Sequence, residues 1–159
     1  SLLVPIREEL SLLIDYFTIQ SYRSGGTITL EVRVEEGFLY DCQILKFTLQ
    51  PLVENAIFHG IEPKGTGSIR ILVKQELSEG LPPGICISVT DNGIGMSREK
   101  ADQILSTNED SSADLFREIG VSNVQKRLQY EFGSAYGITI DSVEGEYTTM
   151  CIHIPQKKP

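Results

Sequence analysis

The stretch that decides the fold runs from residue 49 to residue 60 and reads Leu49-Gln50-Pro51-Leu52-Val53-Glu54-Asn55-Ala56-Ile57-Phe58-His59-Gly60. Its apolar residues recur at helical spacing and predict a helix with one buried stripe, formed by Leu49, Leu52, Val53, Ala56 and Ile57. Gly60 stands where such a helix would end. Asn55 and His59 are four residues apart and share a face, with Glu54 beside them. We therefore expect this helix to form the floor of a site.

The length and composition of the chain predict one globular domain over residues 1–159, since the apolar and charged fractions are ordinary. The net charge of −8 argues against a nucleic-acid surface and against contact with anionic lipid. It does not exclude a small anionic ligand, because backbone amides and a metal ion can hold one locally. No apolar run approaches membrane-spanning length, and residues 1–5 are expected to follow a cut inside a longer chain.

The three cysteines, Cys42, Cys86 and Cys151, are odd in number and far apart in the sequence. There is no CxxC motif and no Cys/His pairing, so the spacing predicts neither a zinc site nor a disulfide framework. Buried thiols in a reducing compartment are the expectation.

Periodicity predicts the elements around the central helix. Helical spacing indicates a first helix from Pro5 to about Ser21, a short helix from Ser97 to about Leu105, and a later one marked by Val121 and closed by Gly133. Alternating apolar residues indicate strands at 28–34, 69–73, 85–89, 138–140 and 150–154. The polar segment 106–118 lacks periodicity and is expected to be mobile. The fold class is α+β, a two-layer α/β sandwich with a mixed sheet covered on one face by about three helices.

Three pieces of sequence can carry chemistry, and each has a plainer interpretation. Asp91-Asn92-Gly93-Ile94-Gly95 places a carboxylate at a strand end before two glycines, where it could accept a hydrogen bond from an exocyclic amine such as adenine N6. The alternative is an ordinary turn, since Asp and Asn before Gly are common in turns.

The polar face of the central helix is the second piece. Asn55 can offer an oxygen to Mg²⁺, Glu54 can orient or deprotonate a group, and His59 can meet a phosphate. The alternative is a solvated face, with His59 favoured by the helix dipole. The third piece is Gly120, which is expected to open a helix and to present free N–H groups to phosphate. Its alternative is an ordinary helix cap.

Taken in order, these pieces resemble the ATP-binding catalytic domain of sensor histidine kinases, in the GHKL superfamily with its Bergerat fold. Residues 49–60 resemble the N box, 91–95 the G1 box and 120–128 the G2 box. Residues 46–56, Lys-Phe-Thr-Leu-Gln-Pro-Leu-Val-Glu-Asn-Ala, are similar to the LytS/YesM-like branch. The likeness extends over nearly the whole chain, from the first helix to the final strand.

The resemblance implies ATP and Mg²⁺ as cofactors. It implies catalytic roles for Glu54 and His59, with Asn55 as the metal ligand. Nucleotide contacts are implied for Asn55, Asp91, Gly93, Gly95, Gly120, Val121, Asn123 and Thr148. Asp91 would bind adenine, the G2-box amides would contact phosphates, and residues 106–118 would form the ATP lid. One departure is Glu118, which stands where the G2 box often has its first glycine.

The resemblance also implies partners outside this chain. They are an upstream dimerisation domain with the phosphoacceptor histidine and a response regulator, in a two-component phosphorelay. The domain would be cytoplasmic, in a membrane-anchored bacterial sensor. Neither His59, assigned to the nucleotide site, nor His153, expected on the outer face of a strand, is a plausible phosphoacceptor. Two rival functions stay open: a serine kinase of the anti-sigma type, and a non-catalytic nucleotide-sensing module, which Glu118 favours.

Overall fold

A computed structural model describes residues 2–106 and 115–159, with the backbone alone for residues 115–119. The helices are α1 (Ile6–Arg23), α2 (Leu49–Asn55) continued by a π-helical turn (Ala56–Ile61), α3 (Arg98–Ser106) and α4 (Leu115–Phe132), with a 3-10 helix at Gly37–Asp41. The strands are β1 (Leu3–Pro5), β2 (Ile28–Val34), β3 (Gln43–Leu45), β4 (Gly67–Glu76), β5 (Gly84–Asp91), β6 (Gly137–Val143) and β7 (Tyr147–Pro155).

Five strands form the main sheet, in the order β2-β4-β5-β7-β6. Strands β2 and β4 are parallel and the other neighbours are antiparallel, which confirms the predicted mixed sheet. On the central strands every second side chain is buried, as alternation predicted, and this face packs against the helices. The α+β fold is therefore confirmed, with four helices in the described part of the chain where about three were expected.

A second, two-stranded sheet was not predicted. Strand β1 pairs with β3 in antiparallel register, with Leu3 opposite Leu45. The β3 segment was ambiguous in the sequence because three residues are too few to show a period. The backbone N–H of Ile6 also donates to the carbonyl of Cys42 at 2.8 Å, so the start of α1 is fixed beside the chain that leads into α2.

Helix α4 begins earlier than predicted. The sequence placed its start near Val121, whereas the helix runs from Leu115 and Gly120 lies inside it. The preceding Leu-Phe-Arg-Glu-Ile contains no helix breaker, and helix propensity carries the first turns back to Leu115. The rest of the predicted lid, residues 107–114, lies outside the described residues.

The expectation of three separate thiols is wrong, since Cys86 on β5 and Cys151 on β7 form a disulfide. Strand β7 is the neighbour of β5 although β6 lies between them in the sequence, so spacing along the chain could not reveal this pairing. Cys42 is a buried free thiol, as predicted. Within the described residues, no helix is both long and apolar enough to cross a bilayer.

Candidate nucleotide site

Asp91 is a buried carboxylate at the end of β5. It is 2% exposed, and its Oδ1 accepts the backbone N–H of Gly93 at 2.9 Å. Burial raises the pKa of Asp91 to about 6, and the Gly93 N–H only partly opposes that rise. A buried acceptor that keeps one oxygen for a further donor is suited to an exocyclic amine.

Glycines let the backbone close around this carboxylate. A Cβ on Gly60 would lie 2.5 Å from Asp91 Oδ1, so the π-helical turn touches Asp91 only because Gly60 has no side chain. A Cβ on Gly93 would overlap the Gly60 carbonyl group. That carbonyl accepts the N–H of Ile94 at 2.9 Å, which binds the loop after β5 to the end of α2.

The loop after β5 is fixed on its other sides as well. The Asn92 side chain accepts the N–H of Ser68 on β4 at 2.8 Å, and Lys64 donates to the Asn92 carbonyl at 2.8 Å. Gly95 has a φ of +66°, and a Cβ there would overlap the carbonyl of Val143. The Asp-x-Gly-x-Gly sequence is therefore a rigid corner rather than an ordinary exposed turn.

A cavity of about 380 Å³ adjoins this corner, within the usual size of ligand pockets. His59 lines it from the π-helical turn, and the remaining wall is formed by Ile94, Gly95, Met96, Ser97, Lys100, Ile104, Glu144 and Gly145. Asp91 does not line this cavity. It borders a second cavity of about 480 Å³ with Ser68 and Arg70.

Asn55 lies at the end of α2, where the chain passes into the π-helical turn. It is 2% exposed, and its Nδ2 has no hydrogen-bond partner among the described residues. A buried amide without a partner costs about 1–3 kcal/mol, which a bound ligand could recover. The side chain can also turn its oxygen toward a ligand, so Asn55 fits a Mg²⁺ site in its chemistry.

Glu54 and His59, the other members of the polar face predicted for this helix, have different surroundings. Glu54 is half-buried, and its Oε1 accepts a hydrogen bond from Gln50 Nε2 at 3.0 Å, one turn earlier on α2. His59 lines the cavity, whereas Asn55, four residues earlier, is buried and does not line it. The helix was predicted to stop at Gly60, but it continues through Ile61, where the N–H of Glu62 donates to the Ile57 carbonyl at 2.8 Å. Such π-helical turns are frequent at functional sites.

Glu9 of α1 fixes the start of α2, a role that sequence analysis missed. It is 3% exposed and its Oε1 accepts the N–H of Thr48 at 3.1 Å. Phe47 has a φ of 65° and Thr48 is in the right-handed helical region, a pair that turns successive N–H groups toward one anion. Burial raises the pKa of Glu9, and the N–H groups of Leu49, Phe47 and Thr48 counter the rise.

The G2-box residues lie on α4, whose Gly120 faces α2. A Cβ on Gly120 would be 3.4 Å from Cβ of Pro51. Val121 is fully buried in the core and Asn123 is exposed. The predicted free N–H groups of Gly120 are not free in this structure, because Gly120 is interior to a helix that extends five residues before it.

Thr148 lies directly across from Asp91 in the β5–β7 register. It is 3% exposed, and its hydroxyl is 2.7 Å from that of Ser142. The structure thus places Thr148, Asp91, Gly93, Gly95 and the end of α2 in one region. Their contacts with a ligand remain predictions.

Comparison with known proteins identifies the family of this chain. A family model described as histidine kinase-, DNA gyrase B-, and HSP90-like ATPase matches residues 40–158. Sensor histidine kinase YesM of Bacillus subtilis (strain 168) is 34% identical over 153 residues, which are 96% of this chain and 24% of YesM. Sensor protein kinase HptS of Staphylococcus aureus (strain USA300) is 30% identical over 152 residues, 96% of this chain and 28% of HptS. The chain thus spans about a quarter of these relatives.

Solved structures show the same fold. The nucleotide-free catalytic domain of histidine kinase ThkA superposes with a TM-score of 0.72 at 18% identity, covering 99% of this chain and 97% of that chain. ThkA in complex with the response regulator protein TrrA gives a TM-score of 0.67 at 18% identity, over 98% of this chain and 41% of that chain.

The predicted resemblance to the catalytic domain of sensor histidine kinases is confirmed by these matches, and ATP is the nucleotide of such a domain. The family model covers most of the chain, including α2, Asp91 and α4. This chain belongs to the histidine kinase-, DNA gyrase B-, and HSP90-like ATPase family.

Proposed function

We propose that this domain binds Mg-ATP and, within the whole protein, donates the γ-phosphate to a histidine located elsewhere in that protein. The observation that carries the proposal is Asp91, a buried carboxylate that the Gly93 N–H and the Gly60 backbone hold at a strand end. In this proposal its second oxygen accepts the adenine N6 amine.

The cation is assigned to Asn55. Mg²⁺ takes few protein oxygens and completes its shell with phosphate and water, so one amide oxygen is an adequate protein ligand. When bound, the ion would neutralise charge on the phosphates. The unpartnered atom of Asn55 is the donor Nδ2, so the amide would turn over to bring its oxygen to the ion.

The remaining residues position the phosphates. His59 lies on the cavity wall and can donate to a phosphate oxygen. Glu54 is held by Gln50 and can orient the incoming imidazole or accept its proton. Phosphoryl transfer depends mainly on positioning and charge neutralisation, so these groups need not form a covalent intermediate.

The acceptor histidine is proposed to lie outside this chain. His153 is hydrogen-bonded to Glu76 and Thr139 on the outer face of the sheet, away from the helices, and His59 belongs to the nucleotide site. We further infer that a response regulator takes the phosphoryl group, and that the domain is cytoplasmic. The ThkA–TrrA complex is a precedent for the regulator in that protein.

Calorimetric titration of the chain with Mg-ATP tests the site. Asp91→Asn should weaken binding by at least about 10-fold, because its amide donor would face the adenine donor. Asp15→Asn, an exposed change on α1, is the matched control and should leave the affinity unchanged. Equal affinities for Mg-ATP in the parent, Asp91→Asn and Asp15→Asn chains would show that Asp91 does not bind the nucleotide.

Mapping the phosphorylated residue tests the reaction. The full-length protein incubated with γ-labelled ATP should carry acid-labile label on a histidine other than His59 and His153. Asn55→Ala should abolish this label while Asp15→Asn retains it. Label on serine would favour the serine-kinase alternative, and nucleotide binding without any label would favour the sensing module.

A further inference from the structure

Two cysteines and a histidine meet on the outer face of the sheet. Cys86, Cys151 and His153 each bring one potential metal-ligating atom, and these atoms lie within 4.8 Å of one another. This face points away from the helices and from Asn55, so the cluster is separate from the nucleotide site. The described residues contain no other group of this kind.

The strand register brings these three residues together. Cys86 of β5 lies opposite His153 of β7, and Cys151 lies opposite Ser88, two positions along on the same face. The two cysteine Cα atoms are 6.2 Å apart. Hydrogen bonding on both sides of β5 and β7 holds these backbone positions, so the sulfur atoms can separate by side-chain rotation alone.

Neighbouring side chains hold the imidazole in place. His153 Nδ1 is 2.9 Å from Glu76 Oε1, and Nε2 is 2.8 Å from the Thr139 hydroxyl. A carboxylate can only accept here, so the neutral ring carries its proton on Nδ1 and leaves a lone pair on Nε2. A carboxylate behind a histidine is the usual outer partner of a zinc-binding imidazole.

Solvent reaches the cluster through an adjoining cavity of about 210 Å³, which Glu76 and His153 line together with Tyr136. The His153 side chain is 29% exposed and Cys151 is half-buried. A small ion can therefore enter, and a water can complete its coordination.

We propose that, when the Cys86–Cys151 disulfide is reduced, both thiolates and His153 Nε2 bind a zinc-class divalent cation. Two sulfurs and one imidazole suit Zn²⁺, whereas the nucleotide's Mg²⁺ prefers oxygen ligands. Water takes the fourth tetrahedral position, and Glu76 orients the ring from outside the coordination shell. The Thr139 hydroxyl gives up its bond to Nε2.

The sulfur atoms serve either the disulfide or the ion, never both. A dithiol reductant transfers two electrons and two protons, which breaks the S–S bond, forms two thiols and converts the reductant to its cyclic disulfide. Binding of the cation then releases the two thiol protons to solvent. A disulfide-class oxidant such as oxidised glutathione reverses the step: it takes two electrons from the thiolates and two protons from solvent to become two thiols, while the Cys86–Cys151 S–S bond re-forms and the ion is released. Occupancy therefore follows the redox state of the pair.

Cobalt(II) absorption spectroscopy on the 159-residue chain tests the site. The chain is reduced with dithiothreitol, desalted without air and titrated with Co²⁺. One ion per chain should give thiolate-to-cobalt charge-transfer bands and the visible bands of a tetrahedral site, and added Zn²⁺ should abolish both. The oxidised chain should give neither, and thiolate-to-cobalt bands in it would overturn the proposal.

Variants separate this site from other thiols. Cys151→Ser should remove the charge-transfer bands, whereas Cys42→Ala, which changes the buried free thiol, should keep them. Glu76→Gln should weaken the affinity by about 10- to 100-fold, as expected for an outer partner of a ligating histidine. Bands that persist in Cys151→Ser, or that vanish in a folded Cys42→Ala chain, would overturn the assignment.

A measurement on the unaltered chain keeps the test independent of variant folding. Zn²⁺ should protect Cys86 and Cys151 of the reduced chain from iodoacetamide, as read by peptide mass spectrometry. Equal alkylation of both residues with and without Zn²⁺ would contradict the proposal.

Discussion

Asp91, the carboxylate proposed to bind adenine, carries a cost to stability. Its pKa is about 6 in the folded chain against 3.8 for the ordinary group, because burial disfavours the charged form. Between pH 3.8 and about pH 6, Asp91 is protonated in the folded chain and ionised in the unfolded chain. Stability from this group therefore falls as the pH rises from about 4 to about 6 and is level above that.

Asp91→Asn should therefore stabilise the chain at neutral pH. The amide oxygen can still accept the Gly93 N–H, and the variant no longer buries a charge. We expect a free energy of unfolding about 1–3 kcal/mol higher at pH 7, with the difference shrinking toward pH 4. Urea unfolding across this range measures it. Asp15→Asn should show no such trend, and an Asp91→Asn chain less stable than the parent at pH 7 would contradict the prediction.

Glu9 is a second buried carboxylate, and its hydrogen bond from the Thr48 N–H supports the start of α2. Glu9→Ala would leave the Thr48 N–H unsatisfied at the start of α2 and should lower the free energy of unfolding by about 1–3 kcal/mol. Glu9→Gln keeps an acceptor and should cost less. Glu8→Ala is the control, since Glu8 is exposed one residue earlier. Equal losses for Glu8→Ala and Glu9→Ala in urea unfolding would disprove the capping role.

These two residues show how far a sequence can predict a site. Asp91 could be singled out as a candidate from the sequence, because strand alternation, the carboxylate and two glycines are all local signals. From the sequence, Glu8 and Glu9 could be placed only in the first turn of α1, where the helix dipole favours acidic residues. The bond from Glu9 to Thr48 joins residues 39 apart in the sequence, and no local pattern reports such a contact.

At the scale of elements, α2 and α4 behave differently from their predictions. The apolar stripe on α2 was predicted correctly, but periodicity could not predict the π-helical turn that brings Gly60 against Asp91. The early start of α4 was missed for a different reason. Residues 115–119 follow a polar segment and show no clear apolar stripe, so periodicity did not indicate a helix there, although these residues are compatible with one.

Gly120→Ala tests whether α4 must open for nucleotide. Alanine is the better helix former, and the space beside Pro51 admits a Cβ, so stability should rise by about 0.5–1 kcal/mol. If the Gly120 N–H contacts phosphate only after this turn unwinds, affinity for Mg-ATP should fall about 2- to 5-fold. Calorimetry and urea unfolding provide both values.

The control for Gly120→Ala is Gln129→Ala, an exposed change nearer the end of the same helix. It should leave the affinity for Mg-ATP unchanged. If Gly120→Ala raises stability without any loss of affinity, α4 does not need to open.

At the scale of the whole molecule, the arrangement of the residues depends on the order of the strands in the sheet. The sequence predicts that order only in part. The mixed sheet with one covered face was predictable from alternation and helix count. The insertion of β7 between β5 and β6 was not, yet it sets Thr148 opposite Asp91 and Cys151 beside Cys86. The candidate nucleotide site and the proposed metal site thus both depend on one topological feature.

Thermal unfolding with and without nucleotide tests the domain as a unit. A single domain should unfold in one cooperative transition. At about 100 times its dissociation constant, Mg-ATP should stabilise the folded state by about 2.7 kcal/mol, which corresponds to a rise in Tm of about 5–11 °C for a chain of this size.

Asp91→Asn should change both the Tm without nucleotide and the rise in Tm that Mg-ATP causes. Its Tm should be higher than that of the parent without nucleotide, because the charge is no longer buried, and the same Mg-ATP concentration should raise it by at most about half as much. A full parental shift retained in Asp91→Asn would separate ATP binding from Asp91, and two transitions would contradict the single domain.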